Sequence, residues 1–298
     1  MKMKAVRVAA TQMNVPHLAT DDNLARHLEL IDRASDEGAA LVLFPELSVT
    51  GHNGSPEVVR DAEAADGPIF QTIARRAAER KIFVSYGFAE LHRGTHYNTQ
   101  TLVGPAGLVG LQRKVHASHD EFFLFRQAYD WNVFDLGFAR VGTAICHDSD
   151  FFESWRILAL KSAEIVLLPH AIRKMNGPDW TLTFDGADRD MPEAEVLAAQ
   201  EQLLTFPSQK YHDIQARTNG VYAMLSDHVG FDGHSTHVGG CYVLGPDGLP
   251  KAASTPSLAD QVIVAELEPH LLARVRSNPW FQLRKRRPET YAELSHAT

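Results

Sequence analysis

The chain has 298 residues, 44% hydrophobic and 22% charged, the balance of a soluble globular protein. No apolar run approaches the roughly 20 residues that cross a bilayer, so a membrane partner is not expected. The formal net charge of −8, with no basic stripe, argues against a nucleic-acid partner.

The N-terminal segment Lys4 to Met13 is β-rich, and Arg7 interrupts what a signal peptide would keep apolar, so a first strand is expected there. Leu24, Leu28 and Ile31 then recur at helical spacing behind Thr20-Asp21-Asp22, which supply a cap and first-turn acids. Ala39 to Pro45 is almost wholly apolar, the pattern of a strand covered on both faces, and it places Glu46 at a strand's carboxyl end. A helix around Phe70 to Arg80 leads into three β-rich pieces, KIFVSYGFAEL, TQTLVGP and LVGLQRKVH, joined by Gly- or Pro-containing turns.

Phe134 to Cys146 holds two more strands, broken near Gly137. The helix that follows puts Phe151, Trp155, Leu158 and Ser162 on one face, so Cys146 falls at a strand-to-helix junction. Glu164 to Pro169 repeats the buried-strand pattern. The polar stretch Arg173 to Asp190 reads as a loop, part of an insertion over about 171–208 that forms a lid, a pocket wall or a surface loop. Helices are expected over Glu193 to Thr205 and Ser208 to Asn219, separated by Pro207 and stopped by Gly220. Val221 to Val229, Thr236 to Leu244 and Gln261 to Leu267 close the sheets, with Pro246-Asp247-Gly248 as a turn. A tail over about 278–298 carries Pro279-Trp280-Phe281 and the run Arg284-Lys285-Arg286-Arg287, a solvated segment or an oligomer contact. No Gly/Ser/Pro-rich linker divides the chain, so one α/β domain over 1–298, with helices outside paired sheets, is expected.

Two cysteines, Cys146 and Cys241, are too few for a disulfide framework and fit a reducing, cytoplasmic setting. Cys241, among β-branched and aromatic neighbours, reads as a packed core thiol. A thiolate at Cys146, at the start of a helix, gains from the exposed N–H groups and the positive end of the dipole. Glu46, Lys114 and Glu121 also stand where apolar strands end, and such ends are where α/β sheets build sites. Hydrolysis of an unactivated amide needs a nucleophile, a proton carrier and a positive group for the developing oxyanion, which these four residues supply together.

Three blocks in order carry a family resemblance: FPELSVTG (Phe44 to Gly51), RKVH (Arg113 to His116) and ICHDSDFFE (Ile145 to Glu153). With weaker echoes in VRVAATQMNV, ALKSAEIVLLPHA, QARTNGVYAMLSDHVG and GGCYVLGPDG, the chain resembles the nitrilase superfamily, carbon–nitrogen hydrolases with a Glu-Lys-Cys triad. The resemblance implies a four-layer αββα sandwich. It also implies that Glu46 takes the proton from Cys146 and later activates water, that Lys114 steadies the tetrahedral intermediate, and that Glu121 orients Lys114 or the substrate. The His147 backbone N–H is the expected second oxyanion donor, and His147, Asp150 and His170 are the candidate substrate-binding residues. No metal or other cofactor is called for, and relatives pair at least as dimers, so a homodimer or larger homo-oligomer is expected.

Asp148, two positions after the cysteine, resembles the amidase and carbamoylase branches, whereas nitrile-cleaving members usually carry glutamate there. The expected partner is therefore a small amide or ureido substrate. Asp150 points to a neutral or cationic one, although Arg173 and Lys174 could reverse that sign. Two other readings compete. A metal-dependent amidohydrolase would draw on His116 and His119, His147 with Asp148, or His234 and His237, but none has HExxH spacing. A catalytically silent binding module is disfavoured because all four catalytic positions are filled.

Overall fold

The structure is a computed structural model that describes residues 3–52, 56–118, 121–173, 190–205 and 211–295. Alternation of apolar side chains explains its layering. In β1 (Val6–Met13) and β2 (Leu41–Leu43), Val8, Ala10, Leu41 and Leu43 face a central core, while Ala9, Met13 and Val42 face outward. β8 (Ile165–Pro169) and β9 (Tyr222–Phe231) mirror this: Ile165, Leu167, Tyr222 and Met224 enter the same central core, and Val166, Leu168, Ala223 and Leu225 face the other way.

Each sheet has a parallel middle and antiparallel flanks. In the first, β1, β2 and β3 (Phe83–His92) are parallel, β4 (Thr95–Gly104) and β5 (Gly107–Arg113) follow as a meander, and β13 (Gln261–Leu267) closes the far side of β1. In the second, β7 (Arg140–Thr143), β8 and β9 are parallel, β6 (Val133–Asp135) flanks β7, and β11 (Tyr242–Leu244) and β12 (Pro250–Ala253) extend beyond β9. The sheets join where Gln12 and Met13 of β1 pair with Asp227 and His228 of β9. Outside the first sheet lie α1 (Thr20–Asp36) and α2 (Pro68–Arg80), through Leu30, Ile31, Ile73 and Ala77. Outside the second lie α4 (Phe152–Leu160) and α6 (His212–Asn219), through Trp155, Leu158 and Ala216. The result is the expected αββα sandwich.

Several elements differ from the sequence expectation for identifiable reasons. α2 starts at Pro68, because proline's missing N–H costs nothing in a first turn. The expected strand Thr236 to Leu244 splits into β10 (Thr236–Val238) and β11, since Gly239 and Gly240 adopt φ of 78° and 100°. No α-helix begins at Cys146: a five-residue 3₁₀ turn, Cys146–Asp150, precedes α4, so the helix-dipole effect expected on the thiol does not apply in that form. α5 (Glu193–Thr205) lies as predicted, whereas half of the expected insertion, with Lys174, Pro207 and Ser208, lies outside the described residues. Cys241 is a core thiol, and burial pushes its pKa up to about 12. No described helix is long and apolar enough to cross a membrane.

The turn that carries Glu46 is seated on β3. Val49 N–H donates to Gly87 O (3.0 Å), Gly87 N–H donates to Ser48 Oγ (3.4 Å), and Leu47 takes a left-handed φ of 47°. His27 of α1 meets Ser48 Oγ through Nε2 (2.8 Å) and stacks on Phe44, clamping the turn from the other side. A Cβ on Gly87 would stand 2.3 Å from Leu47 N and 2.8 Å from Pro45 O, both backbone atoms that cannot swing away. Gly87→Ala is therefore predicted to displace the Glu46 turn. A thermal melt should show a loss of about 1–3 kcal/mol, with hydrolytic activity falling further than stability does; an unchanged melt and activity would contradict this seating.

Candidate active site

Parallel strands present their carboxyl ends on one side of each sheet, and the site assembles there. Glu46 follows β2, Lys114 follows β5, Cys146 follows β7 and His170 follows β8. Lys114 N–H donates to Asn98 O (2.9 Å), continuing the β4–β5 ladder by one residue and turning the lysine inward. Its side chain is 4% exposed. Lys114 Nζ donates to Glu46 Oε1 and to Glu121 Oε2, each at 2.6 Å.

Asn98 makes a second bridge between the same carboxylates, its Nδ2 donating to Glu46 Oε1 (2.7 Å) and Glu121 Oε1 (2.8 Å). Glu121, at the start of α3 (Glu121–Leu124), also accepts from Ser118 N–H (2.8 Å) and Ser118 Oγ (2.7 Å). Glu46 has no such extra donors. Its Oε2 is buried and accepts no hydrogen bond among the described residues. Its backbone is held instead, N–H to His170 O (3.3 Å) and C=O to His228 Nε2–H (2.6 Å).

These surroundings push the two glutamates apart. Burial raises the Glu46 carboxyl above its usual range, Lys114 opposes that, and the charge of Glu121 reinforces it. Burial acts on Glu121 in the same sense, but Lys114 and the Ser118 bonds outweigh it, and its pKa is lowered. Lys114 loses solvation too, yet Glu121, Glu46 and Cys146 hold its ammonium well above the usual lysine range. A proton therefore resides most readily on Glu46, while Glu121 and Lys114 stay charged.

Cys146 opens the 3₁₀ turn with φ 47°, a left-handed conformation that costs a non-glycine residue about 1–3 kcal/mol. Asp148, fully buried, anchors that turn to the lysine loop. It accepts from Ile145 N–H (3.1 Å), Val115 N–H (3.2 Å) and His116 N–H (2.7 Å), and also meets His116 Nδ1 (2.9 Å). The residue that suggested a substrate branch thus faces the backbone and fixes Cys146 relative to Lys114.

Of the candidate substrate-binding residues, His147 and Asp150 pair with each other on the open side of the turn, Nδ1 to Oδ2 at 3.0 Å. His170 is buried behind the turn, its Nε2 3.2 Å from Ser149 Oγ. Of the histidines considered for a metal, His116 stacks on Phe151 and His237 meets Asp232, while His119 lies outside the described residues. Among the described residues one group could hold a metal: a ring nitrogen of His52 and oxygens of Glu46 and Glu121 lie within 4.8 Å of one another. The ammonium of Lys114 already bridges those two carboxylates, so a metal ion there would have to displace it.

Asn98 and His52 were not singled out by the sequence. Asn98 reaches the carboxylates only through the β4–β5 register, which no local pattern encodes. His52 directly follows the FPELSVTG block, and that adjacency was the available signal.

Comparison with known proteins gives the family of the chain. The nitrilase of Pyrococcus abyssi is 32% identical over 292 residues, covering 96% of this chain and 98% of that one. The citrullinase of Francisella tularensis is 26% identical, covering 98% of this chain and 99% of that one. A mutant amidase from Nesterenkonia sp. AN1, with the acetamide moiety of fluoroacetamide added covalently at its active-site cysteine, shares the fold at a TM-score of 0.76 and 20% identity, over 97% of each chain. The sequence profile described as Carbon-nitrogen hydrolase matches residues 7–277, and with it the chain belongs to the carbon–nitrogen hydrolase family of the nitrilase superfamily.

Proposed function

We propose that this protein hydrolyses a small amide or N-carbamoyl compound through a thioester at Cys146. The observation that carries the reading is the unequal pair of carboxylates on one ammonium, with the unpartnered Oε2 of Glu46 available to a proton. Glu46 takes the thiol proton, and the thiolate attacks the carbonyl carbon. The oxyanion that forms is met by the Lys114 ammonium and the His147 backbone N–H. Glu46 returns its proton to the departing nitrogen, ammonia or an amine leaves, and the acyl group remains on sulfur. Glu46 then draws a proton from water, which attacks the thioester; the C–S bond breaks, the acid is released and the proton passes from Glu46 to the Cys146 sulfur. Glu121 keeps Lys114 charged and in place.

The preference for an amide or ureido group over a nitrile rests on the resemblance of Asp148 to the amidase and carbamoylase branches and not on a substrate contact, and a citrullinase among the relatives is consistent with a ureido substrate. The nitrilase of Pyrococcus abyssi favours the alternative, nitrile hydrolysis by the same triad. In this reading the exposed pair His147 and Asp150 contacts the substrate, and His170 supports the turn from behind. Burial depresses the pKa of His52, and the charge of Arg173 adds to that effect. The negative charge of Asp150 beside His147 favours a neutral or amine-bearing substrate over a purely acidic one.

Incubation with butyramide, an N-carbamoyl amine and a nitrile, followed by acid quench and mass spectrometry, is predicted to give an acyl adduct on Cys146 with the first two. Lys114→Met should lower kcat by at least about 10²-fold. Adduct formation with the nitrile alone would move the reading to the alternative. Butyramide should exceed succinamate in kcat/KM by about tenfold or more, a difference of ~1.4 kcal/mol; the reverse order would overturn the charge assignment.

Glu46 must be ionised to accept the thiol proton, so activity falls as pH drops through its raised pKa. Asn98 helps hold that pKa down. Asn98→Ala should therefore move the acid limb of kcat/KM to higher pH, and a shift to lower pH would contradict the assignment of that limb to Glu46.

A further inference from the structure

The Cys146 carbonyl accepts a hydrogen bond from Ser149 Oγ–H at 2.7 Å, and the direction of every proton behind it follows. With its only hydrogen used, Ser149 Oγ offers lone pairs alone, so His212 Nε2 (3.0 Å) and His170 Nε2 (3.2 Å) donate to it. His212 Nδ1 lies 2.5 Å from the Tyr242 hydroxyl, and among the described residues it is the acceptor that buried hydroxyl reaches. Trp155 Nε1–H fixes the Ser149 backbone from the side, donating to its carbonyl at 2.8 Å. Ser149, His170 and His212 are each at most 1% exposed, so water does not compete for these bonds.

The carbonyl of Cys146 and the N–H of His147 belong to one trans peptide and point in opposite directions. Holding the carbonyl against the buried Ser149 turns the N–H away from the core. We propose that Ser149 is a positioning residue for the oxyanion hole: its hydroxyl, oriented by His212 and Tyr242, fixes the Cys146–His147 peptide so that the His147 N–H meets the developing oxyanion. This rests on the hydrolysis reading above. It also accounts for the left-handed φ of Cys146, because a relaxed φ would swing that peptide off both partners. Loss of the Tyr242 donor would let His212 move its proton to Nδ1, whereupon Ser149 could donate to Nε2 and release the Cys146 carbonyl.

Two reactions at Cys146 separate this role from a general structural one. Amide turnover passes through a tetrahedral oxyanion, whereas alkylation by iodoacetamide displaces iodide from carbon and needs only the thiolate. Wild type, Ser149→Ala, Ser149→Thr and Tyr242→Phe are compared in both, with butyramide and an N-carbamoyl amine as amide substrates. Ser149→Ala is expected to lower kcat about tenfold to a hundredfold, with KM and the alkylation rate little changed. Ser149→Thr should recover most of kcat, and Tyr242→Phe should fall between. Wild-type kcat in Ser149→Ala overturns the proposal, as does a parallel loss of turnover and alkylation. If Ser149→Ala does not fold, Tyr242→Phe decides: reduced kcat with normal alkylation supports the proposal, and unchanged kcat overturns it. A wild-type protein that is alkylated yet turns over neither substrate contradicts the hydrolase reading as well, a result distinct from turnover that the variants leave intact.

Discussion

The site depends on one buried ammonium held between two carboxylates. Isolating a charge from water is costly, and a buried ion pair stripped of one partner typically loses about 3–5 kcal/mol. Lys114 is tolerated because Glu46 and Glu121 each stand 2.6 Å from it and Asn98 bridges the same two groups. Two negative charges on one positive charge leave an excess, and the cheapest relief is a proton on the carboxylate with fewer donors. That carboxylate is Glu46. The cost of burying the trio is thereby converted into a site where one member exchanges protons and two do not.

The rest of the architecture serves to bring that trio to Cys146. Two sheets meet through β1 and β9, and their strand ends deliver one carboxylate and the lysine from the first sheet and Cys146 from the second. Asp148 ties the two sides by binding the backbone of both the cysteine turn and the lysine loop. Left-handed backbones at Leu47 and Cys146 mark the places where the chain bends sharply to present Glu46 and the thiol. In both cases neighbouring groups stabilise the bend: Gly87 and Ser48 at the first, Asp148 and Ser149 at the second.

Much of this was legible in the sequence because strand ends have local signatures. The apolar runs before Glu46 and Lys114 placed those residues at strand ends, and the apolar run Ala39 to Pro45 predicted the two-sided burial of β2, whereas Glu121, expected at a strand end, stands at the start of α3. What stayed hidden depends on register and on backbone angles. Asn98 sits in the middle of a polar strand and becomes part of the site only by pairing with β5. The 3₁₀ turn at Cys146 looked like the start of a helix, because Phe151, Trp155 and Leu158 keep helical spacing directly after it. Ser149 and His212 are 63 residues apart, a link no motif carries.

The central claim is that Glu46 is the member of the trio that gains and loses a proton above the ordinary glutamate range while Glu121 stays ionised. Infrared difference spectroscopy of the free enzyme across a pH titration tests it most directly, with Glu46→Gln and Glu121→Gln to assign the bands. The account predicts a protonated-carboxyl band that titrates above the ordinary glutamate range and is absent in Glu46→Gln. A band that persists in Glu46→Gln and vanishes in Glu121→Gln would contradict it.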